Sequence, residues 1–261
     1  MVSKNELKYY SSLLQKKFRY EEKKFIVEGK KLIEEALSSG FDCEALFAAP
    51  HFVEANPAYC SKLSARISKY EVLNNHEFLK LCDTETPQGI AGIFHQKEVK
   101  VKIKKDEDII IALENISDPG NLGTILRNCD WFGVKSIVLS GECAETYNPK
   151  VVRSSMGSLF HLNIHRVEDF IKSLGMLKNS GYEILCADLN GDDIFQFEVP
   201  ANSVIVFSNE SQGPSQEALA ISKTVTIPKY GKAESLNVAN ASAVILGTFR
   251  ANLKTPTKHQ T

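Results

Sequence analysis

Five apolar residues in a row, Ile109–Leu113, constrain this chain more than any other stretch. A strand with one wet face alternates apolar and polar residues. A run with no alternation suits a strand buried on both faces, as in a parallel sheet covered by helices. Ser136–Leu139 and Val204–Phe207 read the same way. Helical patterns fall between such runs: Leu122–Phe132 before Gly133, a short helix within Val151–Ser158, Asp169–Asn179 before Gly181, Ser215–Ala220 and Val238–Arg250. Leu162–Ile164, Glu183–Ala187 and Thr224–Ile227 read as further strands, the last stopped by Pro228. Strands alternating with helices specify an α/β domain with a parallel sheet. Pattern alone makes that domain unknotted.

The first 95 residues also alternate. Asn5–Phe18 has Leu7, Tyr10, Leu14 and Phe18 at helical spacing, which predicts one amphipathic helix. Phe25–Val27, Glu44–Ala49, Tyr70–Leu73 and Ile90–Phe94 read as strands. Lys30–Ser39 is a helix stopped by Gly40, Pro50 ends a strand, and Asn75 caps a short helix His76–Leu81. Gln96–Asp108 is the one lysine-rich shift in composition. It reads as a linker, or as an edge strand whose lysines discourage pairing. The expected organisation is a domain over 1–96, a linker over 97–108, a second domain over 109–254 and a flexible tail over 255–261.

A chain of 261 residues has ample length for two cores. No apolar run approaches the roughly 18 residues of a membrane span. The N-terminus lacks the apolar core of a secretion signal. Cys43, Cys60, Cys82, Cys129, Cys143 and Cys186 are scattered with no C-x-x-C pair, which fits a reduced, cytoplasmic protein. The histidines have no metal-ligand spacing, so no metal is expected. No G-x-G-x-x-G or P-loop supports a dinucleotide or ATP reading. Among the first 31 residues, 9 basic stand against 4 acidic, in a chain of net charge -1. That imbalance suits either an arm that meets nucleic-acid phosphates, Lys23 and Lys24 included, or a solvated helix face.

Three stretches carry more specific chemistry: Asn115–Gly133 (NISDPGNLGTILRNCDWFG), Val204–Ser215 (VIVFSNESQGPS) and Ile227–Arg250 (IPKYGKAESLNVANASAVILGTFR). Together, in this order and spacing, they resemble the SpoU/TrmH family of RNA ribose 2'-O-methyltransferases. The first motif is carried by Asn121, Gly123 and Arg127, the second by Ser208 to Gly213, and the third by Ile227, Pro228 and Ser235 to Val238. Asn148–His161 is a further family-like run. FIVEGKKLIEEAL and TPQGIAGIF resemble the L30e-like substrate-binding domain that precedes such catalytic domains. The resemblance implies a C-terminal α/β parallel-sheet domain with a deep trefoil knot and a smaller L30e-like α/β domain before it. It implies S-adenosylmethionine as cofactor, structured RNA as partner (rRNA rather than tRNA), and a homodimer. A non-catalytic RNA-binding protein on the same fold is the alternative.

Methyl transfer to a ribose oxygen needs a held methyl donor, a 2'-hydroxyl that loses its proton, and a fixed phosphate. By resemblance, the loops of the second and third motifs hold the cofactor through Ser208, Asn209, Gly213, Ile227 and Leu236. Ser208 and Ser211 depart from a family preference for glycine, which implies a crowded loop or a backbone needing positive φ. The resemblance makes Arg127 the central catalytic residue. Arginine side chains keep their proton, so a fixed cation for the phosphate and developing alkoxide is the easier role than a base, and a structural salt bridge is the bland one. Asn121 either orients Arg127 or the ribose, or serves as a turn residue. Glu210, Ser235 and Asn237 match polar family positions. Glu210 otherwise caps a helix, and Ser235 is otherwise the N-cap of the last helix. Arg153, in VVRSSMGS, sits where the family meets RNA, or is structural.

Overall fold

The computed structural model describes residues 2–97, 107–209 and 212–253. Their contacts divide into two units. One holds the residues up to 97 together with Glu145–His161, and the other holds 107–144 and 162–253.

The first unit is built on a four-stranded sheet of β1 (Lys24–Glu28), β2 (Cys43–Ala48), β3 (Tyr70–Val72) and β4 (Ile90–His95). The order is β1-β4-β2-β3, with β4 antiparallel to both neighbours and β2 parallel to β3. Leu7, Tyr10, Leu13, Ile26, Phe47, Phe78 and Ile93 form one buried core. The segment Glu145–His161 packs with this unit. Tyr147 lies 4.4 Å from Phe25 and Phe160 lies 5.1 Å from Phe41 between ring centroids.

Several local expectations are corrected here. The single helix over Asn5–Phe18 is two, Lys4–Ser12 and Lys16–Glu22. Ser11 and Ser12 hydroxyls donate back to the carbonyls of Lys8 and Tyr9, a bond that competes with helix propagation. The carbonyls of Leu13 and Leu14, at the break, accept from the Arg19 guanidinium at 2.8 and 2.7 Å. Pro50 and Pro57 start the helices Pro50–Ala55 and Pro57–Arg66, because the first helical position needs no N–H. Asn74, rather than Asn75, caps Asn75–Leu79. The helix placed within Val151–Ser158 runs Pro149–Ser154, and the left-handed Met156 and Gly157 close it. Gly157 also admits Glu35, whose Cγ would lie 2.8 Å from an added Cβ.

The second unit carries β5 (Ile109–Glu114), β6 (Ser136–Leu139), β7 (Asn163–Arg166), β8 (Glu183–Asp193), β9 (Ser203–Ser208) and β10 (Lys223–Thr226). They form a parallel sheet in the order β10-β8-β9-β5-β6-β7. Every residue of β5, β6 and β9 is buried, so their unalternating runs report burial on both faces. The helix Pro119–Trp131 packs on the last helix, Val238–Asn252, where Asn128 Nδ2 donates to the Ala239 carbonyl and the Ser242 hydroxyl, both at 2.9 Å. Arg250 closes the far end, its guanidinium paired with Asp108 and bonded to the Phe132 carbonyl.

β8 outruns its expected end at Ala187. Thr224 pairs with Cys186, but Val225 pairs with Asp192, so the residues between bulge out of the ladder. Gly191 permits the return: a Cβ there would sit 2.6 Å from the Thr224 carbonyl carbon. The linker of the sequence reading lies mostly outside the described residues, and the tail over 255–261 lies wholly outside them.

Candidate active site at the strand ends of the second unit

The bulge of β8, the loop after β9 and the loop after β10 surround a cavity of about 550 Å³. That size falls within the roughly 300–1,000 Å³ of pockets that enclose a drug-sized ligand. The position follows from topology, since parallel sheets leave a crevice outside the carboxyl ends of their strands. Phe207, Val225, Leu236 and Ile245 supply apolar wall, and Asp188, Lys229 and Glu234 bring charge to it. Asp188 Oδ1 accepts from the Asn190 N–H at 2.8 Å. Its Oδ2 would lie 4.0 Å from a Cβ at Gly213. Burial pushes the Cys186 thiol, on β8, up to about 11.

All five residues assigned to the cofactor from sequence line this cavity: Ser208, Asn209, Gly213, Ile227 and Leu236. Ser235 joins them. Gly213 has φ +68, a conformation that favours glycine, and its N–H closes a turn on the Asn209 carbonyl at 2.9 Å. The crowding expected of Ser208 takes a milder form. Ser208 ends β9 in ordinary extended backbone, buried and in register with Glu114, and has no positive φ. Glu210 and Ser211 lie outside the described residues.

Asn237 and Asn121 come together. Asn237 Nδ2 donates to Asn121 Oδ1 at 2.9 Å, across 116 residues of sequence. Asn237, not Ser235, is the N-cap of the last helix, its Oδ1 accepting from Ala239 N–H at 3.0 Å. Asn121 lies in the first turn of Pro119–Trp131, because Asp118 caps that helix and Pro119 takes its first position. Arg127 is on the same helix, exposed. Among the described residues its side chain makes no hydrogen bond or ion pair.

The cations assigned to RNA divide. Lys23 is exposed at the end of Lys16–Glu22. Lys24 turns inward, 2.5 Å from Glu44 and 2.9 Å from the Tyr9 hydroxyl, and those partners outweigh burial to raise its pKa. Arg153 reaches Asp83 at 2.7 Å and lies 3.7 Å from Glu28.

Sequence reasoning missed Glu114, a buried carboxylate at the end of the central strand, and the Asp188 side of the cavity. The only signal for Glu114 was one acidic residue closing an apolar run. Among the described residues no cluster of His, Cys, Asp and Glu could hold a metal ion. No described helix is long and apolar enough to cross a membrane.

Residues 108–247 match the SpoU rRNA Methylase family, and residues 4–92 match the MRM3-like substrate binding domain. A 23S rRNA (guanosine(2553)-2'-O)-methyltransferase, RlmP of Bacillus subtilis, is 32% identical over 95% of this chain and 97% of its own. An AdoMet-bound rRNA methyltransferase from Sinorhizobium meliloti superimposes with a TM-score of 0.83 at 31% identity, covering 98% of each chain. The SpoU methyltransferase AviRb of Streptomyces viridochromogenes, in complex with AdoMet, gives 0.84 at 25% identity over 96% of this chain and 98% of its own. With its strand-end cavity lined by the second and third motifs, and the first motif tied to the third through Asn121 and Asn237, the chain belongs to the SpoU rRNA Methylase family.

Proposed function

We propose that this chain is an S-adenosylmethionine-dependent RNA ribose 2'-O-methyltransferase that acts on structured rRNA, in the cytoplasm. The observation that carries the reading is the cavity: a half-open, mainly apolar space lined by Ser208, Asn209, Gly213, Ile227, Ser235 and Leu236. Apolar walls with a few placed polar groups suit an adenosine and an amino-acid arm. The bound cofactor supplies a methyl group on a sulfonium. The loops after β9 and β10 bind it through backbone groups. The Asn121–Asn237 pair fixes the start of the catalytic helix against the third motif.

Arg127 binds the RNA phosphate beside the target ribose and stabilises the alkoxide that develops at the 2'-oxygen. An exposed guanidinium with no partner among the described residues is available for a planar, two-pronged contact with phosphate. Glu210 and Ser235 orient Arg127 or the acceptor ribose. The first domain grips the RNA, with Lys23 at its surface and Arg153 beside its acidic pair, and RNA shape rather than sequence is what such a module reads. Following the family pattern, the C-terminal segment threads a trefoil knot around the cofactor loops. The enzyme works as a homodimer, a reading supported by the apolar surface of two mutually packed helices, Trp131 at 84% and Val244 at 37% exposure. Sedimentation giving a single-chain species at micromolar concentration contradicts the dimer.

Titration of the pure protein with S-adenosylhomocysteine is the first test. Saturable one-site binding is expected, and absence of binding returns the chain to a non-catalytic RNA-binding role.

A further inference from the structure

We propose that Glu114 is a positioning residue which, with the backbone of Asn115, holds both ends of the loop that follows β9. The inference rests on the cofactor reading above and concerns how that loop keeps its shape. Glu114 is 6% exposed at the carboxyl end of β5. A buried carboxylate is costly unless hydrogen-bonded. Its Oε2 accepts from the Ser215 N–H at 3.1 Å. Ser215 is the N-cap of Gln216–Ala220, so the carboxylate grips the loop where it enters that helix. The other end is held by the next residue. The Asn115 carbonyl accepts from Asn209 Nδ2 at 3.4 Å.

This grip needs the chain to turn sharply after Glu114. Asn115 takes φ +58, a left-handed conformation that asparagine tolerates better than most residues. The Ser140 hydroxyl holds it there, accepting from the Asn115 N–H at 2.9 Å and donating to Asn115 Oδ1 at 3.2 Å. Between the two clamped ends lie the cavity-lining Gln212, Gly213 and Pro214. β5 then continues into the helix of Asn121 and Arg127. One dipeptide therefore joins the catalytic helix to the cofactor loop. Loop ends held in advance at Asn209 and Ser215 lose less conformational entropy on binding, so the brace acts on cofactor affinity.

The test uses full-length variants and S-adenosylhomocysteine as the calorimetric probe. Glu114→Ala should weaken binding about tenfold, whereas Glu114→Gln, whose amide oxygen still accepts from Ser215, should stay within about threefold of wild type. A second pair avoids touching the buried acid. Ser215 has φ -63, which proline adopts without strain. Ser215→Pro and Ser215→Ala both lack the capping hydroxyl, and only the proline lacks the N–H. Ser215→Pro should bind about fivefold more weakly than Ser215→Ala, and adding Glu114→Ala to Ser215→Pro should cost little more, because both remove one bond. Single-turnover rates at saturating cofactor should change less than affinity in every variant. Equal binding by Ser215→Pro and Ser215→Ala, or Glu114→Ala within twofold of wild type, overturns the proposal. A wild-type chain that binds no S-adenosylhomocysteine overturns the cofactor reading itself, a distinct result.

Discussion

Arg19 and Arg127 are the same residue type in opposite circumstances. Arg19, in the first unit, is 2% exposed. Its Nε donates to both oxygens of Glu145, its Nη2 reaches Oε2 at 2.5 Å, and its Nη1 donates to two carbonyls. Arg127, in the second unit, is exposed and its side chain makes no ion pair or hydrogen bond among the described residues. The first unit repeats the Arg19 pattern: Lys24 on Glu44, Lys69 on Glu6, Arg153 on Asp83. The basic excess of the first 31 residues overstates their free charge, because Arg19 and Lys24 are committed to internal carboxylates. A committed cation holds a fold, and an uncommitted one at the surface is available to a ligand.

The largest effect expected from breaking this contrast is on stability. Arg19→Ala leaves the Glu145 carboxylate buried and unpaired, which should cost about 3–5 kcal/mol. Urea denaturation followed by a first-unit probe measures it, and a loss below about 1 kcal/mol would mean the pair is far more hydrated than its burial implies. Arg127→Ala should leave stability within about 0.5 kcal/mol, as for an exposed residue whose side chain has no partner among the described residues, yet lower methyl transfer on the order of 10²-fold. Arg127→Lys should fall between, since it keeps charge and loses the planar fork.

Lys23 and Lys24 sharpen the comparison on adjacent residues. Lys23→Ala should weaken RNA binding and reduce its salt slope by about one, with stability unmoved. Lys24→Ala should leave the salt slope alone and lower stability by about 1 kcal/mol through Glu44. Reversal of the two would show that the inward ion pair opens in the RNA complex.

The smallest effect concerns His165, buried on β7 with neither ring nitrogen partnered among the described residues. Burial lowers its pKa in the folded state below the ordinary 6.5. The unfolded chain then binds the proton more readily, so the His165 contribution to stability falls as pH drops below that value. His165→Leu should flatten the stability curve between about pH 7 and 5 relative to wild type. Parallel curves would rule out the histidine as its source.

The buried strands were legible in sequence because burial on both faces removes alternation, and β5, β6 and β9 needed no partner to be recognised. The cavity-lining residues were legible because three motifs, spaced along the chain, fall on the loops that follow β5, β9 and β10 of one sheet. The missed features depend on distant residues or on ambiguous local signals. The apolar period of Leu7, Tyr10, Leu14 and Phe18 runs straight through the helix break, whose carbonyls are satisfied by Arg19 and thus by a partner 126 residues away at Glu145. Pro50 reads equally as the end of a strand and the start of a helix, and here it is both. In Ser235-Leu236-Asn237 two polar residues compete for one cap, and Asn237, which takes it, also reaches Asn121. Glu114 gave no periodic signal because its meaning lies in the register with Ser208 and the reach to Ser215.

The most direct test of the central claim is single-turnover methylation of rRNA transcripts with labelled S-adenosylmethionine by wild type and Arg127→Ala, followed by nucleoside analysis. Label should appear in a 2'-O-methylated nucleotide with wild type, and fall on the order of 10²-fold with Arg127→Ala while cofactor affinity stays unchanged. Label on a base rather than a ribose, or near-full turnover by Arg127→Ala, would contradict it.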